Sequence, residues 1–253
     1  MSMNSSLAEL EKTLGIKFSE TFCAFWEDYV PSKTPNFSLK ASKLGGVWGY
    51  RGYDLKAKRA VIEVEESLES FHKEITIAHE ILHLVLEWEG YPLIYSDEQR
   101  LKRNLPNAEA IAENLHSVII HPVIRFRMKE WGFSVDKHIK VKAAGQLKDL
   151  ETKIDQYPPR SNLPEWCEWL LRYVLARLEW GEFERQAIRD MFSSRHIPIE
   201  RQGEKYLNRL EKIGYLEPKS LTPVIVTEAG EMFLHLLDLK SYYTIGFISK
   251  SAS

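Results

Sequence analysis

Five consecutive residues could carry hydrolytic chemistry: His79-Glu80-Ile81-Leu82-His83. On a helix, residues four apart project from one face, so both imidazoles can bind a single Zn2+ ion. Glu80 lies one position along and can reach a metal-bound water. It can take that water's proton as a general base and return it to a leaving group. The ion brings the water's pKa toward neutrality, which makes a nucleophile available at cellular pH. The plainer alternative is a pair of core histidines bonded to backbone beside a surface glutamate. Against it stand Ile75, Ala78, Ile81, Leu82, Val85 and Leu86, which recur at helical spacing around the motif. They leave His79, Glu80 and His83 as a narrow polar stripe on an apolar rod. Burying that stripe without partners is costly, and a metal supplies partners for all three.

A catalytic zinc takes a third protein ligand. The extended metzincin pattern is absent, because Leu86 and Glu89 stand where its glycine and third histidine would be. The next candidates are Glu109, Glu113 and His116, which fall at i, i+4 and i+7 on one stripe. The opposite face is Ile111, Ala112, Leu115, Val118 and Ile119. Any surface helix carries such a polar stripe. At this distance after the histidine pair, it is also where a glutamate-ligand zincin places its third ligand.

The elements that must position these residues can be read around them. Ser6 and Glu9 form a capping box for a first helix that Gly15 stops. A second helix, FSETFCAFWEDYV, is closed by Pro31 and followed by a loop. Aromatic, β-branched and glycine residues from Gly45 to Val64 predict two or three strands, the last around Ala60–Val64. Ser67–Trp88 is the strongest helix, ended by Gly90 and Pro92. A loop leads to a second amphipathic helix with Asn107 as N-cap, which Pro122 breaks or kinks. A further helix covers AAGQLKDLETKID.

The stretch Ile62–Pro122, about a quarter of the chain, resembles the ImmA/IrrE family of zinc metallopeptidases. The pieces that carry the likeness are IEVEES, ITIAHEILH and EAIAENLHSVIIHP. They stand for a strand, a helix with A-H-E-x-x-H, and a helix bearing a glutamate and ending near a proline. The resemblance implies a gluzincin-type endopeptidase in which His79, His83 and Glu109 hold the metal and Glu80 is the base. Glu113 would then be a group orienting a zinc histidine. It also implies a narrow protein or peptide substrate, such as a transcriptional regulator. The chain departs from the family at Leu82, at Glu113 in place of asparagine, and at His121 before the proline. His116 and His121 are further candidate ligands or oxyanion-side donors, and Tyr53, Tyr91 and Tyr95 are further oxyanion candidates. In zincins a strand beside the active helix receives the substrate as an added antiparallel strand, and Ala60–Glu65 is the natural candidate here.

YPPRSNLPE, with three prolines, reads as a linker. It splits the chain into a zincin-like domain over residues 1–158 and a winged-helix-like domain over residues 159–253. The second domain reads as helices over Glu165–Trp180, Glu184–Ser194 and Ile199–Ile213, then a strand-like segment YLEPKSLTPVIVT and a last helix. Its third helix carries Arg201, Lys205 and Arg209, the candidate contacts to duplex DNA, with Lys212 one turn on. Thirteen basic and thirteen acidic residues follow Pro159. Glu200, Glu204 and Glu211 interleave with those cations, as in a salt-bridged surface.

Composition bounds these readings. The chain has 253 residues, 44% hydrophobic and 28% charged, with net charge −2. That excludes a mostly disordered chain and a polycation that coats nucleic acid by charge alone. Two distant cysteines, Cys23 and Cys167, exclude cysteine-based zinc fingers and disulfide scaffolds. Nothing reads as a secretory signal or a membrane span, so a cytoplasmic protein with no membrane partner is expected. The fold class expected is α+β, and the cofactor is Zn2+. Two rival functions remain. One is a DNA-binding regulator whose zincin domain is a non-catalytic sensor or scaffold. The other is an interaction protein that keeps the motif by accident.

Overall fold

The computed structural model of the chain describes residues 7–34, 36–54, 56–96, 108–156, 163–217, 220–237, 239–240 and 243–247. Ser6, Asn107 and the body of the Pro-rich linker lie outside the described residues. So does Lys219. The fold is α+β and mostly helical, with nine helices and two small sheets among the described residues. No helix there is long and apolar enough to cross a membrane. Cα packing divides the residues into two compact units. One takes in the described residues up to Gly90 and Ile124–Val135; the other takes in Tyr91–Val123 and those from Asp136 on. The units are interleaved along the chain.

In the first unit, α1 (Leu7–Leu14) and α2 (Glu20–Lys33) precede a mixed sheet of β1 (Phe37–Ser42), β2 (Gly49–Asp54) and β3 (Arg59–Glu65). The strand order is β1-β3-β2, with β3 parallel to β1 and antiparallel to β2. Burial alternates along β3, with Ala60, Ile62 and Val64 buried, as expected of a strand with one face on the core. Helix α3 (Ser70–Trp88) packs on β2, β3 and α2. Its start is tied to α2 through polar groups, the buried Glu74 and the exposed Ser19. Ser19 caps α2, and the Glu74 carboxylate accepts both from its backbone N–H (2.7 Å) and from its hydroxyl (2.6 Å). Phe25 of α2 meets Trp131 and Phe133 edge-on at 5.8 and 5.5 Å, closing an aromatic cluster in this unit.

Two expectations are corrected here. The segment after Pro31 is not all loop: Phe37–Ser42 is a strand whose Phe37, Ser38 and Leu39 are all buried. And β3 is not available to an added strand, because both of its edges are already paired. Among the described residues, the strand with one unpaired edge beside α3 is β2.

The second unit holds β4 (Leu93–Ser96), most of α4 (Ala108–Glu130), α5 (Val135–Lys153), α6 (Leu163–Glu179), α7 (Glu182–Arg195), α8 (Ile197–Lys212), α9 (Pro223–Leu236) and β5 (Tyr243–Gly246). Helices α6, α7 and α8 match the three helices read from sequence to within two residues. They pack around Tyr173, Phe192 and Gly203. A Cβ at Gly203 would lie 2.4 Å from the Tyr173 ring, so the glycine is what lets α8 approach α6.

The expected wing is corrected. No described residue of YLEPKSLTPVIVT is in a strand, and Val224–Val226 belongs to α9. Thr222 caps that helix, accepting from the Ile225 N–H at 3.4 Å, and Pro223 opens its first turn. This start signal, with Val226 fully buried, outweighs the strand preference of the β-branched run. The partner of β5 is β4, some 150 residues earlier and antiparallel to it.

Pro122 does not end its helix either. It lacks the N–H that would bond the Val118 carbonyl one turn back. The Tyr215 hydroxyl donates to that carbonyl instead, at 2.5 Å. With the orphaned acceptor satisfied, α4 runs through the proline for 23 residues. Burial, reinforced by the charge of Glu179, pushes the Tyr215 phenol well above its ordinary value, so it stays a donor.

Candidate metal centre

The helical spacing of the motif does what the sequence reading expects of it. Ile77, Ala78, Ile81, Leu82 and Val85 are all fully buried, and His83 is 6% exposed among them. His79 and Glu80 are half-buried, on the more open side of α3. The Nε2 atoms of His79 and His83 lie 3.2 Å apart. Two ligand nitrogens about 2.0–2.1 Å from a tetrahedral zinc ion stand about 3.3 Å from each other, so the pair already has the bite such an ion requires.

A third imidazole comes from α4. Ring nitrogens of His79, His83 and His121 all lie within 4.8 Å of one another, a group that could hold a metal ion. His121 stands three residues before Ile124 on one unbroken helix. Three imidazoles suit zinc, and also copper, iron or nickel, better than calcium or magnesium. The donor set thus fits a transition metal.

The His121 ring is held from its other side. Its Nδ1 is in direct contact with the Glu179 carboxylate, at the last residue of α6. Both side chains are nearly buried, at 12% and 11% exposure. Nothing in the sequence pairs these residues, which lie 58 positions apart.

Strand β2 lies against Glu80. A Cβ built on Gly49 would fall 2.9 Å from a Glu80 carboxylate oxygen and 2.6 Å from the Thr76 methyl. The missing side chain is therefore what lets Glu80 lie on the strand. Two residues on, and so on the same side of the strand, Arg51 is ion-paired to Glu87, two turns beyond Glu80 on α3. Burial pulls the Arg51 guanidinium below its ordinary value, and the Glu80 charge opposes that fall. Sequence reading missed Gly49 and Arg51. A glycine inside a strand is a sign of close backbone approach, and that was the available signal.

The other candidates are dispersed. Glu109 lies in α4, outside the residues whose side chains are described. Glu113 is exposed and His116 half-buried, and neither belongs to the three-imidazole group. Tyr53 is 61% exposed on β2. Tyr91 is buried, with its hydroxyl donated to the Leu221 carbonyl at 2.8 Å. The side chain of Tyr95 is outside the described set.

On α8, Arg201 and Lys205 are exposed and Arg209 half-buried. Two of the acids beside them, Glu200 and Glu204, are engaged by other helices. Glu204 accepts from Tyr173 at 2.7 Å and from Arg177 at 2.8 Å on α6, and Glu200 pairs with Arg189 on α7 at 3.5 Å. Both cysteines are free, and burial pushes the Cys167 thiol up to about 12, which leaves it inert.

No family model, curated protein or solved structure matches the chain.

Proposed function

We propose that this protein is a zinc-dependent endopeptidase whose metal is held by His79, His83 and His121. The observation that carries the reading is the gathering of those three imidazoles within 4.8 Å, with Glu80 adjoining the first of them. Zinc bound there would supply Lewis acidity and lower the pKa of a bound water. Glu80, seated on Gly49, takes a proton from the attacking water and returns it to the departing amine. The Arg51 guanidinium lies close enough for its charge to interact with that of Glu80. The edge of β2 that no described strand pairs with suits an extended peptide, which would bind through main-chain hydrogen bonds. A protein substrate such as a transcriptional regulator rests on the resemblance to the ImmA/IrrE family, as does the gluzincin label. The zincin description of the first unit rests on the motif.

The ligand set is where this reading departs from that family, which would use Glu109. Zinc per chain and zinc affinity, measured on the purified full-length protein, decide it. Near-stoichiometric zinc, lost in His79→Ala and His121→Ala but kept in Glu80→Gln and Glu109→Ala, is the expected result. Glu80→Gln should at the same time abolish cleavage of an unstructured peptide library. A protein without zinc overturns the reading. Loss in Glu109→Ala with retention in His121→Ala returns the third ligand to the carboxylate.

A second reading has one observation in its favour. Glu200 and Glu204 are engaged by α7 and α6, so Arg201 and Lys205 stand on the outward face of α8 without those acids beside them. Such a face suits the phosphates of duplex DNA. Binding that weakens steeply with salt and is lost on reversing Arg201 and Lys205 would support it. Binding that ignores both changes would remove it.

A further inference from the structure

We infer that Glu179 is a positioning residue for the metal, acting through His121. The inference rests on the three-histidine reading and adds a residue which neither the motif nor the resemblance points to. Glu179 is placed where a carboxylate is doubly disfavoured. It is buried, and it closes α6, where the helix dipole is negative. A buried acid at a helix C-terminus needs a donor, and the contact with Nδ1 of His121 provides one. That contact holds the proton on Nδ1 and assigns Nε2 to the metal. A carboxylate behind a ligating imidazole sets its tautomer, fixes the ring's rotation and raises its basicity.

The same turn of α4 is secured from a second side. The Tyr215 hydroxyl replaces the hydrogen bond that Pro122 removes from Val118, so the helix stays regular where His121 leaves it. The Glu179 charge is felt at Tyr215, which places carboxylate, phenol and imidazole in one buried neighbourhood. A proline immediately after a metal ligand would otherwise leave that ligand on a frayed turn. With both partners in place, His121 is presented by a rigid backbone and a fixed ring.

The test uses the full chain and zinc alone, with affinity read by chelator competition at neutral pH. Glu179→Gln should weaken zinc binding by about 10–100-fold, the usual effect of losing a group behind a ligand. In a His121→Ala background the same change should have no further effect, because Glu179 acts only through that ring. A general structural role would weaken both backgrounds alike. Equal affinity of Glu179→Gln and the unaltered protein overturns the inference and leaves the three-histidine site standing. Absence of zinc from the unaltered protein overturns both. A measurement on the unaltered, metal-free protein guards against a variant that does not fold. Nitrogen NMR of His121 should report the proton on Nδ1, and the Nε2–H tautomer overturns the inference.

Discussion

Helices α3 and α4 both bring histidines to one place, and they are built in opposite ways. The motif helix is spelled out locally. His79 and His83 are one turn apart, and their 3.2 Å approach follows from helix geometry once the surrounding apolar residues are buried. His121 has no such local support. The residue after it breaks helices, the carboxylate that contacts it lies 58 positions later, and the group that bonds the carbonyl Pro122 leaves without its helix partner, Tyr215, lies further still. A histidine pair can be encoded by spacing, whereas a third imidazole at a distance depends on how other elements fold around it.

The comparison is broken most directly at the ligands. His83→Ala and His121→Ala should each weaken zinc binding by more than the roughly 100-fold that loss of an outer partner costs at most. If His121→Ala binds as tightly as the unaltered protein, α4 contributes nothing and the contrast disappears. Next comes Gly49. Gly49→Ala should leave zinc content unchanged, because no ligand is touched. Peptide cleavage should fall by about 100-fold, the usual consequence of misplacing a reacting group by an ångström. A fully active Gly49→Ala protein would show that Glu80 does not depend on β2 for its place.

Tyr215→Phe sharpens the account of α4. It removes the donor to Val118 without changing shape, and thermal unfolding should show a loss of about 1–3 kcal/mol, the cost of a buried acceptor left unmade. The smallest effect concerns pH. Burial works to raise the Glu204 carboxyl, but the hydrogen bonds from Arg177 and Tyr173 prevail and hold it below the ordinary 4.5. Its contribution to stability is therefore whole above the ordinary value. It is lost as pH falls from there through the lower folded value. Melting temperature should drop over that window, and Glu204→Gln should flatten the drop. A variant with the same pH profile as the unaltered protein would show that the network does not sense protonation.

The parts of the molecule that could be read in advance share one property: their causes are near in sequence. Helix α3 and its motif, the approximate bounds of α6, α7 and α8, and the α+β class follow from periodicity and stop signals within a dozen residues. Where reading went astray, the deciding partner was remote. β4 and β5 are four residues each, too short to declare themselves, and exist because they pair across 150 positions. The segment read as a wing became α9: its start signal, Thr222-Pro223, was present, but the β-branched residues after it read as a strand. β3 was correctly a strand, but its suitability for substrate depended on neighbours that the alternation of its own residues does not report.

The sequence alone determined that two imidazoles and a carboxylate would share one stretch of helix, because 3.6 residues per turn makes that a matter of counting. Only the tertiary structure decided which third imidazole would join them, which strand would lie under Glu80, and why a proline beside His121 does not end its helix. Each of those outcomes needs atoms from separate parts of the chain to meet. Chain connectivity records no preference among such meetings until the apolar surfaces of the elements have been buried against one another.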